Sequence, residues 1–168
     1  PHKNIHRIFH ALSLSKDKEI ELWIVGPQDQ RYTPKLRQLS IDLGISKRCR
    51  WISWVSNKER LSILNRCQAL VIASLWEGFG LPALEAMACD TPVIASKAGA
   101  LPEVVADAGI LIDPLNVHEL ANAMSEVTSN PPMNRRFIRN GRIRIKRYTW
   151  SNAAAVVEEV LKEIQVEI

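Results

Sequence analysis

The sequence has no run of about 18 apolar residues, so a helical membrane span is excluded. It has no basic-then-apolar opening with a cleavage site, and nothing in it points to secretion. Cysteine is scarce: Cys49, Cys67 and Cys89 are odd in number and show no C-x-x-C spacing. That argues against a disulfide framework and a zinc cluster, and favours reduced, mostly buried thiols in a cytoplasmic protein. Internal repeats and low-complexity stretches are missing as well, and no acidic pair stands at magnesium-ligand spacing.

What is present suits one soluble domain with a sizeable core: 168 residues, 46% apolar and 24% charged. The net charge of +4 is unevenly spread. Residues 130–150 hold Arg135, Arg136, Arg139, Arg142, Arg144, Lys146 and Arg147 with no acid, so this segment carries +7 and the remainder −3. The plain reading is a solvated helix face. The sharper reading is attraction to an anionic membrane surface, which would make the protein membrane-peripheral, or to nucleic acid. No aromatic interleaving or nucleic-acid motif supports the latter, and no nucleic-acid partner is expected.

Helix and strand patterns alternate along the chain. Ile5, Ile8, Phe9, Leu12 and Leu14 recur at helical spacing, and residues 20–26 (IELWIVG) form a short apolar strand. Thr33 as N-cap before Pro34 opens a helix that stops at Gly44. A strand over 50–55, a helix capped by Ser56 or Asn57, and a buried strand over 69–74 follow. Next come a helix over 82–89, a strand over 91–96, a brief helix over 101–106 and a strand over 110–112. Helices over 117–127, 132–147 and 151–165 close the pattern. Apolar strands separated by helices imply a parallel sheet covered on both faces, an α/β, doubly wound, Rossmann-like domain. Ligands in such domains bind beyond the carboxyl ends of the strands, here the loops after Val25, Ser53, Ser74 and Ser96.

The densest stretch is residues 73–96, ASLWEGFGLPALEAMACDTPVIAS. A strand ends near Ser74, the turn Glu77-Gly78-Phe79-Gly80 follows, and a helix opens with Pro82 at its first position. Two glycines let backbone approach a ligand closely, and the free N–H groups of the helix start would face an anion such as phosphate. Glu77 and Glu85 flank the turn, and carboxylates accept paired hydrogen bonds from vicinal hydroxyls. A phosphate cradle between two diol readers suits a nucleotide joined to a sugar. The same residues also admit a plainer account, a helix whose own acid favours its dipole and an unrelated loop acid.

This motif, Glu77-GFGLPAL-Glu85, resembles the Glu-x7-Glu motif of the C-terminal, donor-binding domain of family 4 (group 1) retaining GT-B glycosyltransferases. PHKN at the start, RCRWISWV, AGALPEVVADAGILIDP and YTWSNAA are similar to family patterns too, so the likeness covers nearly the whole chain. It implies one nucleotide-sugar-binding domain over residues 1–168, entered at Pro1 without its own first strand and without the N-terminal acceptor domain that would be its partner. The implied activity is metal-independent transfer of a sugar from a nucleotide diphosphate sugar to an acceptor hydroxyl, with no cofactor. The isolated chain should bind nucleotide and turn over nothing. The family's roles fall on Glu77 for donor-sugar hydroxyls, Glu85 for ribose, and the backbone amides of Gly78, Phe79, Gly80 and Leu81 for sugar and diphosphate. Lys3 takes the role of a diphosphate cation, while His2 stands where a neighbouring Arg is common. The nucleobase is expected by Cys49 and Arg50, with Gly26 and Pro27 lining the same crevice. Asp90 stands where the family often has Gly, and Ser53 replaces a frequent Gly.

Other readings remain open on residues alone. Gly78-x-Gly80-x-x-Ala83 fits a dinucleotide fingerprint, but the next strand ends in Ser96-Lys97 rather than an acid, which leaves NADP rather than NAD. A non-catalytic nucleotide-sugar sensor or a GT-B epimerase could use the same fold. His2, His6 and His10 share one helix face at a spacing that can bind zinc, yet no acid or cysteine stands nearby in sequence, and no metal is expected. The five tryptophans are expected to pack in the core or the crevice, with Trp76 bordering the donor pocket.

Overall fold

The computed structural model describes residues 2–166. The chain runs α1 (Ile5–Leu14), β1 (Leu22–Val25), α2 (Thr33–Asp42), a 3-10 turn (Ser46–Arg48), β2 (Cys49–Ile52), α3 (Asn57–Arg66) and β3 (Leu70–Ile72). It continues through α4 (Leu81–Ala88), β4 (Val93–Ser96), α5 (Leu101–Val105), β5 (Gly109–Ile112), α6 (Val117–Ser129), α7 (Pro131–Ile145) and α8 (Trp150–Val166). Every strand pairing is parallel. In β4 the pleat alternates between two cores: Val93 and Ala95 face one, Ile94 the other. One core holds Phe9 and Leu12 of α1 against Leu120, Met124 and Val127 of α6. The other holds Ala83, Ala86 and Met87 of α4 with Val104 and Val105 of α5. A strand buried on both faces with helices on each side is the doubly wound α/β layering that the sequence pattern implies.

The sheet itself comes in two pieces. β1 and β2 form one ladder, with Leu22 opposite Cys49 and Val25 opposite Ile52. β3, β4 and β5 form another in that order. β1 and β3 therefore each have a ladder partner on one side only, although both contribute to the same core as Phe9. Trp23 and Val25 stay exposed on the outer face of β1, where a central strand would bury them.

Helix starts follow local chemistry. Ser56 caps α3 through a full capping box: its hydroxyl accepts from the Glu59 N–H while the Glu59 carboxylate accepts from the Ser56 N–H. Such a cap contributes about 1 kcal/mol. Thr33, expected as N-cap, is instead the first helical residue, and Tyr32 precedes it without a side-chain cap. α4 likewise starts at Leu81 with Pro82 second, because the fixed φ of proline suits either position in a first turn. Asp90 adopts φ 57°, the left-handed conformation that explains why glycine is common there. Aspartate tolerates it better than most residues, and its carboxylate accepts two hydrogen bonds from the Arg142 guanidinium.

The tryptophans divide between core and surface. Trp51 packs edge-on against Phe9 with ring centres 5.9 Å apart, beneath the Arg37 guanidinium. Trp23, Trp54, Trp76 and Trp150 are exposed.

Candidate functional site

Strands are parallel within each ladder, and Lys3, which bonds Glu77 after β3 and shares a cavity with Gly26 after β1, shows that the loops following β1, β2, β3 and β4 emerge at one end of the domain. The N-terminal segment is fastened to this end by three contacts. The Leu75 N–H donates to the His2 carbonyl at 2.8 Å. Asn4 is buried at φ 58°, and its Nδ2 donates to the carbonyl oxygens of Ala73 (2.9 Å) and Pro114 (2.7 Å). Its Oδ1 accepts from Arg7 Nη1 at 2.7 Å. Residue 3 is thereby held over the end of β3, and Lys3 Nζ donates to Glu77 Oε2 at 2.8 Å.

Glu77 is gripped from three sides. Ser74 Oγ donates to the same Oε2 at 3.2 Å, and the Ala100 N–H donates to the Glu77 backbone carbonyl at 3.1 Å. Gly99 passes so close, at φ 57°, that a Cβ there would lie 2.1 Å from the Glu77 carbonyl oxygen. Among the described residues Oε1 has no hydrogen-bond partner, so one face of the carboxylate is available to a ligand. Burial disfavours the Glu77 charge, but the Lys3 ammonium and the Ser74 hydroxyl outweigh it and hold the carboxyl below its ordinary value of 4.5. A carboxyl depressed on folding stabilises the fold above its ordinary value and loses that contribution as pH falls through its folded value. Acid titration of the chain should therefore cost stability, and Glu77→Gln should flatten that part of the profile in denaturant melts. An unchanged profile would sink the assignment.

The turn itself matches its sequence reading. Gly80 takes φ 96°, immediately ahead of α4, and a Cβ there would meet Leu101 Cδ2 at 2.8 Å. The Trp76 ring lies over Gly78, 3.4 Å from the position of a Cβ. Phe79 packs edge-on against Tyr148, ring centres 5.8 Å apart. Glu85 sits one turn into α4, where Arg60 of α3 approaches to 2.7 Å between Nη1 and Oε1. Trp54, Leu75, Trp76, Phe79 and Leu81 are exposed at the same end, an apolar rim of the kind that marks a binding surface.

Of the other predicted residues, Gly26 joins Lys3 on a cavity of about 350 Å³ that Pro27, Asp29 and Tyr32 also line. Glu77 and Glu85 are not on that cavity. Cys49 and Arg50 belong elsewhere, which corrects their expected place beside the nucleobase. The 3-10 turn ends at Arg48, so Cys49 and Arg50 begin β2, opposite Leu22 and Trp23, at the far end from the crevice. Cys49 is buried in the core, and Arg50 makes a paired salt bridge to Glu21, whose carboxyl it pulls down to about 2. The crevice end of β2 is instead Ile52 and the loop toward Trp54. Lys97, the candidate 2′-phosphate ligand of a dinucleotide site, pairs with Glu119 at 3.3 Å. Asn4, Ser74, Gly99 and Arg60 had not been singled out from the sequence. Asn4, Gly99 and Arg60 work through contacts distant in the chain, which leave no periodic trace, and Ser74 through Glu77 three residues on.

The glycosyl transferases group 1 family profile matches residues 1–144. The chain belongs to the group 1 glycosyltransferases. A group 1 relative from Mycolicibacterium hassiacum, an MMP alpha-(1->4)-mannosyltransferase, is 36% identical over 160 residues, covering 92% of this chain and 38% of that protein. Anabaena Alr3699/HepE, solved in complex with UDP-glucose, superposes with a TM-score of 0.87 at 25% identity over 97% of this chain and 46% of its own. The C-terminal domain of a group 1 protein (LpcC) from Francisella tularensis superposes with a TM-score of 0.77 at 29% identity, covering 88% of this chain and 80% of that domain. The structural neighbours are GT-B glycosyltransferases, and this chain matches their C-terminal half. It spans less than half the length of the curated group 1 relatives it matches.

Proposed function

We propose that the chain is the donor-binding half of a retaining glycosyltransferase, which moves a sugar from a nucleoside diphosphate sugar to an acceptor hydroxyl. The observation that carries this is the Lys3–Glu77 pair, held at 2.8 Å beside a left-handed glycine and the start of a helix. Lys3 and the N-terminal dipole of α4 supply positive charge where a leaving diphosphate accumulates negative charge. The backbone amides of Gly78, Phe79, Gly80 and Leu81 hold the diphosphate and the sugar. Glu77, with its unbonded Oε1, reads donor-sugar hydroxyls, and Glu85 reads the ribose diol. Retention follows from front-face attack, in which the departing phosphate oxygen takes the acceptor's proton. The charge needed comes from Lys3 and the helix, so the reading invokes no metal.

The rest of the protein is part of the proposal. The break between the β1–β2 ladder and the β3–β4–β5 ladder supports a further strand of the same domain, outside the chain, that pairs with both. The exposed apolar rim at the crevice end suits a second, acceptor-binding domain facing it across the donor. The chain by itself then binds nucleotide without turnover.

The test is calorimetric titration of the chain with UDP, GDP and ADP and with their common sugar conjugates. Glu85→Ala should weaken the preferred bare nucleotide about 10- to 100-fold, the loss of hydrogen bonds to a charged acceptor. Glu77→Ala should not weaken the bare nucleotide, since it also frees Lys3 for the diphosphate, and should abolish the preference for the conjugate. If Glu77→Ala weakens bare nucleotide as much as Glu85→Ala does, the division of roles is wrong.

A further inference from the structure

Of the seven cations of residues 130–150, four share one face of α7 and its C-cap, while Arg136 stacks on Phe137. Phe137 and Gly141 face inward, and the missing side chain of Gly141 leaves room for Met87 of α4 at 3.2 Å. Arg144 also turns inward, donating to the backbone carbonyls of Val104 and Glu103. On the opposite face, at helical spacing, stand Arg135, Arg139, Arg142, Ile143 and Lys146, all exposed.

Charge pairing separates this face from an ordinary solvated one, where acids and bases interleave. Within this group only Arg142 has a carboxylate partner among the described residues, Asp90. Arg135, Arg139 and Lys146, with Arg147 just beyond, have none there. Like charges one turn apart repel, so the uncompensated row is a standing cost that a docked anionic surface would remove. Two large apolar groups accompany these cations: Ile143, on the same face, is 55% exposed, and Trp150, four residues beyond Lys146 at the start of α8, is 89% exposed. Cations mixed with exposed Ile and Trp match the headgroup zone of a bilayer. A phosphate backbone offers the cations a partner but Ile143 none. With the remainder of the chain at −3, the field would also orient the domain with this face toward a negative surface.

We propose that the outer face of α7, together with Trp150, docks on anionic lipid headgroups. The patch adjoins the candidate site, because Tyr148 lies between Lys146 and Trp150 and packs on Phe79 of the glycine turn. Docking would set the crevice beside the lipid surface.

The experiment is sedimentation of the chain with vesicles of phosphatidylcholine carrying about one-third phosphatidylserine, against vesicles of phosphatidylcholine alone. Binding to the acidic vesicles only, weakened by salt, is expected. Each exposed cation should contribute roughly fivefold, so the triple variant Arg135→Gln, Arg139→Gln, Lys146→Gln should lose about 100-fold. These side chains are exposed, and an unchanged melting temperature ties the loss to the surface. Asp90→Asn, which frees Arg142, should tighten binding, and Trp150→Ser should weaken it. Equal binding to both vesicle types, binding to neither, or a triple variant that binds as well as the parent each overturns the proposal. So does a random-sequence DNA duplex that binds more tightly than the acidic vesicles and is insensitive to Trp150→Ser, which would assign the face to nucleic acid.

Discussion

Replacing Gly99 with alanine should destabilise the chain by about 3 kcal/mol and disrupt the candidate site at the same time. Two costs combine at this position. The backbone sits at φ 57°, where a Cβ costs about 1 kcal/mol. The new carbon would also lie 2.1 Å from the Glu77 carbonyl oxygen and 3.0 Å from the Glu77 nitrogen, and backbone cannot swing aside as a side chain can. Either the 98–100 loop or residue 77 must move, and the Ala100 N–H bond to Glu77 goes with it. Gly44 provides the control within the same molecule. It has φ 67° with nothing within 4 Å of its would-be Cβ, so Gly44→Ala should show the conformational cost alone, about 1 kcal/mol. Urea midpoints for the two variants make the comparison; equal losses would mean that the contact with Glu77 carries no weight.

Asn4→Ala should cost about 3 kcal/mol, which for a domain of this size lowers the melting temperature by about 10 °C. The side chain is the sole hydrogen-bond donor from this segment to the carbonyls of Ala73 and Pro114, which follow β3 and precede α6, so its removal leaves a buried and a half-buried acceptor without that partner. Asn4→Gly separates the causes, since glycine accepts φ 58° freely but donates nothing from a side chain. If glycine restores the melting temperature, backbone conformation mattered and the hydrogen bonds did not. Both variants should also loosen Lys3 over Glu77, because the Leu75 N–H bond to the His2 carbonyl is then the one of the three contacts left to fasten residues 2–4.

How far the sequence revealed this depends on the kind of signal. Layering was legible because burial imposes a period: Val93, Ile94 and Ala95 alternate between two cores, and α1 repeats Ile8, Phe9, Leu12 on one face. The glycine turn was legible because Gly78, Gly80 and Pro82 each restrict the backbone in a known way. Cys49 and Arg50 were misplaced because their nucleobase role was carried over from the family resemblance, whereas the strand itself, expected over 50–55 and found at Cys49–Ile52, puts both at its start and the crevice at its other end. Among the tryptophans, expected in the core or the crevice, Trp23 and Trp150 depart, because bulk suggests burial and yet both stand on the surface away from the rim that Trp54 and Trp76 share. Asn4, Arg60 and Gly99 act through partners that folding alone brings near, and a lone polar or glycine residue in one sequence announces none of them.

The ion pairs at the crevice have a consequence for selectivity. Each glutamate assigned to the donor is matched by a cation of the chain, Glu77 by Lys3 and Glu85 by Arg60. On the proposed roles a visitor has to trade with these couples rather than simply add to them. Inorganic phosphate could draw off Lys3 but would strand the half-buried acid beside it, and a free sugar would offer its alcohols while leaving the ammonium nothing better than it had. A molecule joining an anion to adjacent alcohols can take both members in a single exchange. Discrimination of that sort arises from what the wrong guest leaves behind.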